Sequence, residues 1–367
     1  MPLRETLCRR KPFVFTCLLI LASVGYLAFH VSGWTSLQQT NRFHMQIASS
    51  LNRTEGSSQP KTSQQDPGLV SAGSLANSTS CSSLPRNLSG QVLVSSEPIT
   101  PEQLVTKYPY IEMGGRLKPH ACLSDQKVAI IIPYRNRSQH LHILLNNLIP
   151  ILHRQLIDAV IFVVEQAPPT TFNRGFLLNI GFLESQKVGK FDCVILHDVD
   201  MIPTHDSCLY RCEDNPKHFI SSINSNRLPY EFYFGGVVGM KSDLYRRING
   251  HSNLYFGWGG EDDDLLIRCQ NKGYRHLRNP QIIGNYYTFK HQRDKGNEEN
   301  ADKFGLYRTA RRRQDIEGLN TATYRLEKLE QRPLYTWISV SVDMKQTLQA
   351  APDYMKADIT NMLKSVQ

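Results

Sequence analysis

The sequence predicts an α/β domain with a mixed, largely parallel sheet, which follows an apolar N-terminal segment and a polar stalk. Apolar runs of strand length alternate with segments of helical periodicity, which is the pattern of a parallel sheet covered by helices. A long uncharged stretch near the N-terminus predicts a membrane attachment. The chain has 367 residues, 40% of them hydrophobic and 20% charged, which suits one large domain with appendages.

Residues 13–34 are predicted to form a transmembrane signal anchor. Their apolar core, residues 13–29, has the length that a bilayer requires, and basic residues precede it. Because the positive flank stays in the cytosol, we expect residues 1–12 there and the rest of the chain in the lumen. A cleaved signal peptide is the alternative, but bulky Phe29 and His30 stand where small residues would be wanted.

Residues 35–97 are predicted to be a flexible stalk, and residues 98–367 the lumenal catalytic domain. The stalk is rich in small polar residues and poor in aromatic ones, so it cannot bury enough apolar area to offset its ordering entropy. Sequons at Asn52, Asn77 and Asn87 fit a secretory compartment. A further sequon at Asn136 is expected to stay bare, because it lies in a predicted binding segment.

The predicted elements of the domain alternate regularly. They are a strand at 127–133, a helix at 139–155, a strand at 158–165, a helix at 172–186 and a strand at 191–197. Pro150 is expected to kink or break the first helix. Ligands of such sheets bind beyond the carboxyl ends of the strands, so the residues after each strand are candidates for a site.

Two carboxylates, Asp198 and Asp200, directly follow the third strand. Residues two apart project to the same side of an extended chain, and hard oxygen ligands suit Mg²⁺ or Mn²⁺ bridging a diphosphate. The same pattern is common in turns and helix caps, but the position after a buried strand favours the metal site.

A second motif joins a glycine-rich loop to a row of acids. Trp258 stands among Gly257, Gly259 and Gly260, which gives a loop with free backbone dihedrals and one stacking surface. Four acids, residues 261–264, then open a helix predicted at 265–272. The helix dipole accounts for one or two of them. The others predict a base that removes a proton from a sugar hydroxyl.

Arginines form the third motif. Arg135 and Arg137 follow the first strand, and Arg174 opens the second helix; guanidinium groups there can hold phosphate or uracil oxygens. Surface salt bridges are the alternative. The arginines within 308–313 are expected to form a solvated face. Since no aromatic residues interleave them, nucleic-acid binding is not expected despite the net charge of +9.

Together these motifs resemble those of the β1,4-galactosyltransferase family. They follow the family's order and approximate spacing, and are Pro133-Tyr-Arg-Asn-Arg137, Phe172-Asn-Arg174, Asp198-Val-Asp200, Tyr233-Phe-Gly-Gly-Val237, Gly257-Trp-Gly-Gly-Glu-Asp-Asp-Asp264 and His291-Gln-Arg-Asp-Lys295. The resemblance covers residues 104–342. It implies a GT-A fold, a Rossmann-like nucleotide-sugar domain, in a single-pass type II protein of the Golgi membrane.

The resemblance implies an inverting enzyme that moves galactose from UDP-galactose to the 4-hydroxyl of a terminal N-acetylglucosamine on a glycoprotein or glycolipid. Asp200 and His291 would bind Mn²⁺, with Mg²⁺ tolerated, and Asp262 would be the catalytic base, assisted by Glu261. The implied donor-binding residues are Pro133, Tyr134, Arg135, Arg137, Phe172, Arg174, Asp198, Val199 and Trp258. The implied sugar-binding residues are Tyr230, Tyr233, Gly236, Gly260, Glu261, Asp263 and Phe304.

The resemblance also implies two disulfide bonds. They would join Cys81 to Cys122 and Cys193 to Cys212, while Cys208 and Cys269 would pair with each other or stay free. Two positions depart from the family's pattern. Thr288 replaces a methionine three residues before His291, which predicts altered Mn²⁺ affinity or greater tolerance of Mg²⁺. Phe256 replaces a tryptophan and should be tolerated.

Several alternatives stay open. The resemblance implies that Tyr233 crowds the acetamido group of UDP-GalNAc and so favours galactose. A β1,4-N-acetylgalactosaminyltransferase, or a galactosyltransferase acting on glucosylceramide or xylosyl-protein, is the alternative. A non-catalytic lumenal lectin is disfavoured because Asp200, Asp262 and His291 are all present. A hydrolase would need an acid and a base flanking the bond, and the arginine motifs argue against it. A homodimer is one possible assembly.

Overall fold

The structure is a computed structural model that describes residues 79–289 and 297–364. The chain divides into two units, residues 1–73 and 74–367, and every described residue belongs to the second. The predicted anchor at 13–34, most of the predicted stalk and the predicted metal ligand His291 lie outside the described residues. Within the described part of the chain, no helix has the length and apolar character needed to cross a membrane.

Short and long strands alternate with helices along the described residues. The strands are β1 (Arg116–Leu117), β2 (Lys127–Tyr134), β3 (Asp158–Gln166), β4 (Cys193–His197), β5 (Ile202–Pro203), β6 (Lys217–His218), β7 (Ser222–Ile223), β8 (Val237–Lys241), β9 (Leu277–Arg278), β10 (Asn285–Tyr287), β11 (Arg325–Gln331) and β12 (Thr336–Ser341). The helices are α1 (Pro101–Lys107), α2 (Ser138–Arg154), α3 (Arg174–Val188), α4 (Ser242–Arg247), α5 (Glu261–Asn271), α6 (Lys303–Arg313), α7 (Met344–Gln349) and α8 (Lys356–Lys364), with short 3₁₀ turns at Leu319–Thr321 and Asp353–Met355.

The main sheet is mixed, with a parallel centre, as predicted. Its order is β11-β12-β3-β2-β4-β8-β6-β9, and β1 pairs with the start of β3. Strands β12, β3, β2 and β4 run parallel, whereas β8 is antiparallel to both β4 and β6. The carboxyl ends of the four parallel strands therefore meet at one edge, where the sequence predicts a ligand site.

Both faces of the parallel strands are buried, which explains their continuous apolar sequences. Ala129 and Ile131 face one core, beneath α3, while Ile130 and Ile132 face the other, beneath α2. Helix α3 approaches the sheet closely at Gly181, where a β-carbon would collide with the side chain of Ile131. The predicted strands and helices are confirmed here to within two residues at most ends.

Helix α2 continues through Pro150, so of the expected kink or break the break does not occur. A proline inside a helix has no N–H to donate to the carbonyl four residues earlier, here that of Asn146. The hydroxyl of Tyr108 donates to that carbonyl over 2.7 Å and so satisfies it. A residue from outside the helix thus compensates for the bond that the proline removes.

The predicted stalk boundary at residue 97 is too late. A disulfide bond joins Cys81 to Cys122, and the backbone N–H groups of Ser89 and Gly90 donate to the Asp206 carboxylate over 2.7 and 2.8 Å. These long-range bonds offset the ordering entropy of a polar segment, which composition alone does not reveal. Residues 79–97 are therefore part of the folded domain.

The implied disulfide pairing is confirmed. The second bond joins Cys193, at the start of β4, to Cys212. Cys208 and Cys269 are free and buried, so they do not pair with each other.

Candidate active site

A cavity of about 650 Å³ opens at the carboxyl edge of β2 and β4. Nearly all of the predicted site residues within the described part of the chain line it. They are Pro133, Arg135, Arg137, Phe172, Arg174, Asp198, Val199, Asp200, Tyr230, Tyr233, Gly236, Trp258, Gly260, Glu261, Asp262, Asp263 and Phe304. The structure thus brings six separate segments of the sequence to one place.

Tyr134 is the exception among the described residues, because it does not line this cavity. Side chains alternate along β2, so Pro133 faces the cavity while Tyr134 packs on the opposite core with Ile132. Burial raises the pKa of Tyr134. The contact between Tyr134 and the donor that the resemblance implies therefore stays a prediction, which the lining of this cavity does not support.

Seven lining residues were not among the predicted site residues, although Gly235 and Gly259 lie within the predicted motifs. They are Met201, Pro229, Gly235, Gly259, Asn297, Lys303 and Tyr307. Lys303 and Tyr307 are four residues apart on α6 and share a face with the predicted Phe304, so helical spacing could have found them. Met201 and Pro229 carry no sequence signal that distinguishes them.

Arg174 links the two acidic motifs across the cavity. Its Nε donates to Asp198 over 2.6 Å, and its Nη1 lies 3.4 Å from Glu261. Helix α3 starts here because the side chain of Asn173 accepts from the N–H of Phe176, which caps the first turn. One guanidinium group at the start of α3 therefore contacts a carboxylate that follows β4 and another in the first turn of α5.

The other two arginines are positioned by backbone and aromatic contacts. Arg135 donates to the carbonyl of Thr170 over 2.8 Å, and its guanidinium lies 4.9 Å from the centre of the Phe172 ring. Arg137 lies 3.9 Å from the Asp200 carboxylate. A planar base could stack against Phe172 while the guanidinium groups face phosphate oxygens.

Helix α5 presents three of its four acids to the cavity. Burial, reinforced by Asp262, raises the pKa of Glu261 to about 7, and its Oε2 has no hydrogen-bond partner among the described residues. Burial and the same neighbour raise the pKa of Asp263 to about 6, and Tyr230 donates to Asp263 over 2.8 Å. The carboxylate of Asp262 lies against Gly235.

The fourth acid, Asp264, points away from the cavity into a buried ion-pair network. It accepts from Arg268 over 2.6 Å and also pairs with Arg313, while Glu317 pairs with both arginines. All four side chains are at most 2% exposed. The predicted solvated face at 308–313 is therefore wrong for Arg313, which fastens α6 to the first turn of α5.

The acidic pair after β4 suits a divalent cation. Burial, with a further contribution from Asp200, raises the pKa of Asp198 to about 6, so the protein does not fully compensate the negative charge there. Carboxylate oxygens are hard ligands. Among the described residues, no three His, Cys, Asp or Glu side chains are grouped as a complete metal site. A cation at Asp200 would need further ligands from elsewhere.

A parallel α/β sheet with arginines after β2, an acidic pair after β4 and a row of acids across one cavity defines a glycosyltransferase of the GT-A type. Residues 81–213 match the family model for the N-terminal region of glycosyl transferase group 7. Residues 216–292 match the model for the N-terminal domain of galactosyltransferase.

Proteins of similar sequence indicate which family of glycosyltransferases the chain resembles. Beta-1,4-galactosyltransferase 4 of Cricetulus griseus is 43% identical over 263 residues, which cover 71% of this chain and 76% of the relative. The Homo sapiens protein of the same name is 42% identical over 72% of this chain and 76% of its own length. A Lymnaea stagnalis beta-N-acetyl-D-glucosaminide beta-1,4-N-acetylglucosaminyl-transferase is 37% identical over 77% of this chain and 69% of that relative.

A solved structure agrees with these relatives. A mutant of Drosophila β1,4-galactosyltransferase 7, in complex with manganese, UDP-Gal and xylobiose, is 26% identical with a TM-score of 0.53, covering 61% of this chain and 98% of that one. The chain belongs to the β1,4-galactosyltransferase family and is a hexosyltransferase.

Proposed function

We propose that this chain transfers galactose from UDP-galactose to the 4-hydroxyl of a terminal N-acetylglucosamine on a glycoprotein or glycolipid, with inversion and with Mn²⁺ as cofactor. One observation carries the proposal: the Asp262 carboxylate shares a single cavity with the arginines and with the acidic pair Asp198 and Asp200. A base and a site for a diphosphate therefore border the same space.

The nucleotide would bind at the β2 side of this cavity. Phe172 offers a ring face for uracil, and Arg135 lies over that ring. Arg137 and Arg174 would bind diphosphate oxygens with their planar, multiply donating groups. Because Arg174 already contacts Asp198, the phosphate and the acidic pair would share one positively charged group.

The metal would be held by Asp200 and His291. When bound there, Mn²⁺ would neutralise the negative charge that develops on the departing diphosphate. An imidazole and a carboxylate are a suitable ligand pair for Mn²⁺. The Drosophila structure in complex with manganese and UDP-Gal supports this part of the proposal.

In the transfer step, Asp262 accepts the proton of the acceptor 4-hydroxyl. The acceptor oxygen forms a bond to the anomeric carbon as the bond from that carbon to the β-phosphate oxygen breaks. The electron pair of that bond leaves with UDP. Because the attack is in line with the departing group, an α-linked donor gives a β-linked product.

The acceptor sugar would lie between α5 and the rim aromatics. Glu261 offers an oxygen with no partner among the described residues, and Asp263 offers a second carboxylate beside it. Tyr230, Trp258 and Phe304 are 45%, 49% and 68% exposed at this rim, and sugar rings pack on such faces.

Galactose is the favoured donor sugar because Tyr233 fills the space around the sugar site. Its ring lies close to Gly235 and lines the cavity. A bulky phenol there would crowd an acetamido group. The Lymnaea stagnalis relative, whose name includes N-acetylglucosaminyl transfer, makes an N-acetylhexosamine donor the second candidate.

The membrane attachment is part of the same proposal. Residues 13–34 would anchor the chain in the Golgi membrane as a single-pass type II protein with a lumenal catalytic domain. The two disulfide bonds and the exposed sequon Asn87 fit an oxidising secretory compartment. Protease protection of sealed Golgi vesicles should spare the domain; digestion without detergent would contradict this topology.

The decisive experiment uses the full chain in membranes with Mn²⁺, a panel of labelled UDP-sugars and three acceptors. The acceptors carry terminal N-acetylglucosamine, glucosylceramide or β-xyloside. We expect galactose to be transferred to N-acetylglucosamine, with the linkage confirmed by cleavage with a β1,4-specific galactosidase. Asp262→Asn should abolish transfer. Transfer undiminished in that variant would exclude Asp262 as the base.

A further inference from the structure

We propose that His218 and Arg278, which lie outside the cavity, are positioning residues that fix the loop 231–236 and thereby set both the place of the base Asp262 and the selectivity of Tyr233 for the donor sugar. This inference rests on the proposed function for the identity of the donor and acceptor. The juxtaposition of the two side chains with the loop is independent of it.

The loop 231–236 borders the cavity between the two acidic motifs. Tyr233, Gly235 and Gly236 all line the cavity. The α-carbon of Gly235 lies against the Asp262 carboxylate, and the carbonyl of Gly236 accepts from the backbone N–H of Asp198 over 2.9 Å. A shift of this loop would therefore change both the position of the Asp262 carboxylate and the space around Tyr233 for the donor sugar.

Arg278 and His218 hold three alternate carbonyls of that loop. Arg278 donates from Nη1 to the carbonyl of Glu231 over 2.9 Å and from Nη2 to that of Tyr233. Its Nε donates to His218 Nδ1 over 3.0 Å, and His218 Nε2 lies 2.9 Å from the carbonyl of Gly235. The loop is fixed through its backbone at each second residue.

Strand register brings the two side chains together. His218 in β6 pairs directly with Arg278 in the parallel strand β9, and on its other side with Val238 in β8. Strand β8 begins one residue after the loop ends. The pairing of β6 with β8 and β9 therefore places the side chains of His218 and Arg278 beside the loop 231–236, which leads into β8.

The protonation state of His218 follows from these contacts. Nδ1 must accept, because the Nε of Arg278 can only donate, so the proton of the neutral ring is on Nε2 and is donated to Gly235. Burial, with Arg278 nearby, lowers the pKa of His218 to about 3. The ring is neutral throughout the physiological range and acts as a fixed hydrogen-bond relay.

The ring also supports the loop by packing. His218 lies edge-on to Tyr233, with centroids 5.5 Å apart, and at the same distance from Phe234. Removing the imidazole would leave the carbonyl of Gly235 and the Nε of Arg278 without these partners. A buried polar group that loses its partner drives local rearrangement.

The test compares variants of the full chain in membranes. His218→Phe keeps an aromatic ring at this position and removes both hydrogen bonds, whereas His218→Gln keeps an N–H near the position of Nε2. Arg278→Lys replaces the guanidinium fork by one ammonium nitrogen, whose three N–H groups leave a single atom and cannot reach acceptors spread over Glu231, Tyr233 and His218. His276→Phe is the matched control, because the ring of His276 packs on Phe234 of the same loop at 5.6 Å.

We expect His218→Phe to lower kcat roughly 10- to 100-fold, as misplacement of a base by about 1 Å does, with the KM for UDP-galactose changed less than about threefold. The ratio of N-acetylgalactosamine to galactose transfer should rise, because Tyr233 is no longer fixed. His218→Gln should recover part of kcat, and His276→Phe should match the wild type. Arg278→Lys should resemble His218→Phe.

An activity-independent measurement accompanies the kinetics. Amide hydrogen exchange over residues 231–237 should accelerate in His218→Phe and Arg278→Lys, and not in His276→Phe. If the wild type uses another UDP-sugar, the donor assignment fails, and the same variants are then compared with that sugar. Variants with normal kcat, normal donor ratio and unchanged loop exchange would overturn the positioning role, whichever donor is used.

Discussion

The carboxylate of Asp262 lies directly against the α-carbon of Gly235. The two residues are far apart in sequence, one in the loop before β8 and the other in the first turn of α5. A β-carbon on Gly235 would overlap the Asp262 carboxylate and the Tyr233 ring. The space around this position therefore favours glycine, since the carboxylate of Asp262, the proposed base, occupies the place of a side chain.

Gly235→Ala is expected to lower kcat by about 100-fold, because the added methyl displaces the carboxylate of Asp262, the proposed base. Steady-state kinetics with UDP-galactose would measure this, and UDP binding should persist. Gly305→Ala on α6 is the control, because nothing lies within 4 Å of the added carbon. A Gly235→Ala enzyme with normal kcat would show that Asp262 has room to move without loss of function.

Glu261→Gln is expected to make the protein relatively more stable at high pH while it impairs transfer. The pKa of Glu261 is about 7 in the folded protein and 4.5 ordinarily. As pH rises from 4.5 to 7, the unfolded chain releases this proton before the folded chain does, so the wild type loses stability over that window. The variant has no such proton to lose.

The difference in unfolding free energy, variant minus wild type, should therefore rise with pH across that window by up to about 3 kcal/mol. Urea unfolding at pH 4.5 and pH 8, without donor or metal, would measure it. The variant removes a carboxylate that we assign to the acceptor, so transfer should fall even where stability rises. A stability difference independent of pH would contradict the perturbed pKa.

Arg313→Met is expected to lower the free energy of unfolding by about 3–5 kcal/mol, because it leaves Asp264 and Glu317 with one buried arginine instead of two. Arg311→Met, two residues away on the exposed face of α6, should change stability little. The urea concentrations at the unfolding midpoints of Arg313→Met and Arg311→Met would test this difference in stability. Equal midpoints would mean that Arg268 alone can compensate the buried charges of Asp264 and Glu317.

Thr288→Met is expected to strengthen Mn²⁺ binding relative to Mg²⁺, because a thioether is a softer ligand than a hydroxyl. The backbone N–H of Thr288 donates to Asn224 over 3.0 Å, so the substitution need not disturb the main chain. Titration of activity with each metal would measure the change. A wild type that already shows tight, strongly Mn²⁺-selective activation would refute the predicted role of Thr288.

Much of the site could be predicted from the sequence because its parts are local motifs that follow buried strands. The apolar runs of β2, β3 and β4 predict strands buried on both faces, and the edge of such a sheet is where ligands bind. Asp198 and Arg135 are found in this way, whereas Trp258 is found from the glycine-rich loop around it. The residues that hold the loop 231–236 were missed, since a histidine and an arginine in two-residue strands carry no local signal.

Amino-acid order by itself determined the alternation of strands and helices, the positions of the acidic and arginine motifs, and the resemblance that pairs four of the cysteines. Tertiary structure alone decided which buried polar groups find partners. It turns Asp264 towards Arg313 and away from the cavity, satisfies the carbonyl released by Pro150 with Tyr108, and faces Tyr134 away from the site. The periodicity of apolar residues predicts which side chains are buried. The hydrogen-bond partner of a buried polar group often comes from a distant segment, so only the tertiary structure specifies that partner.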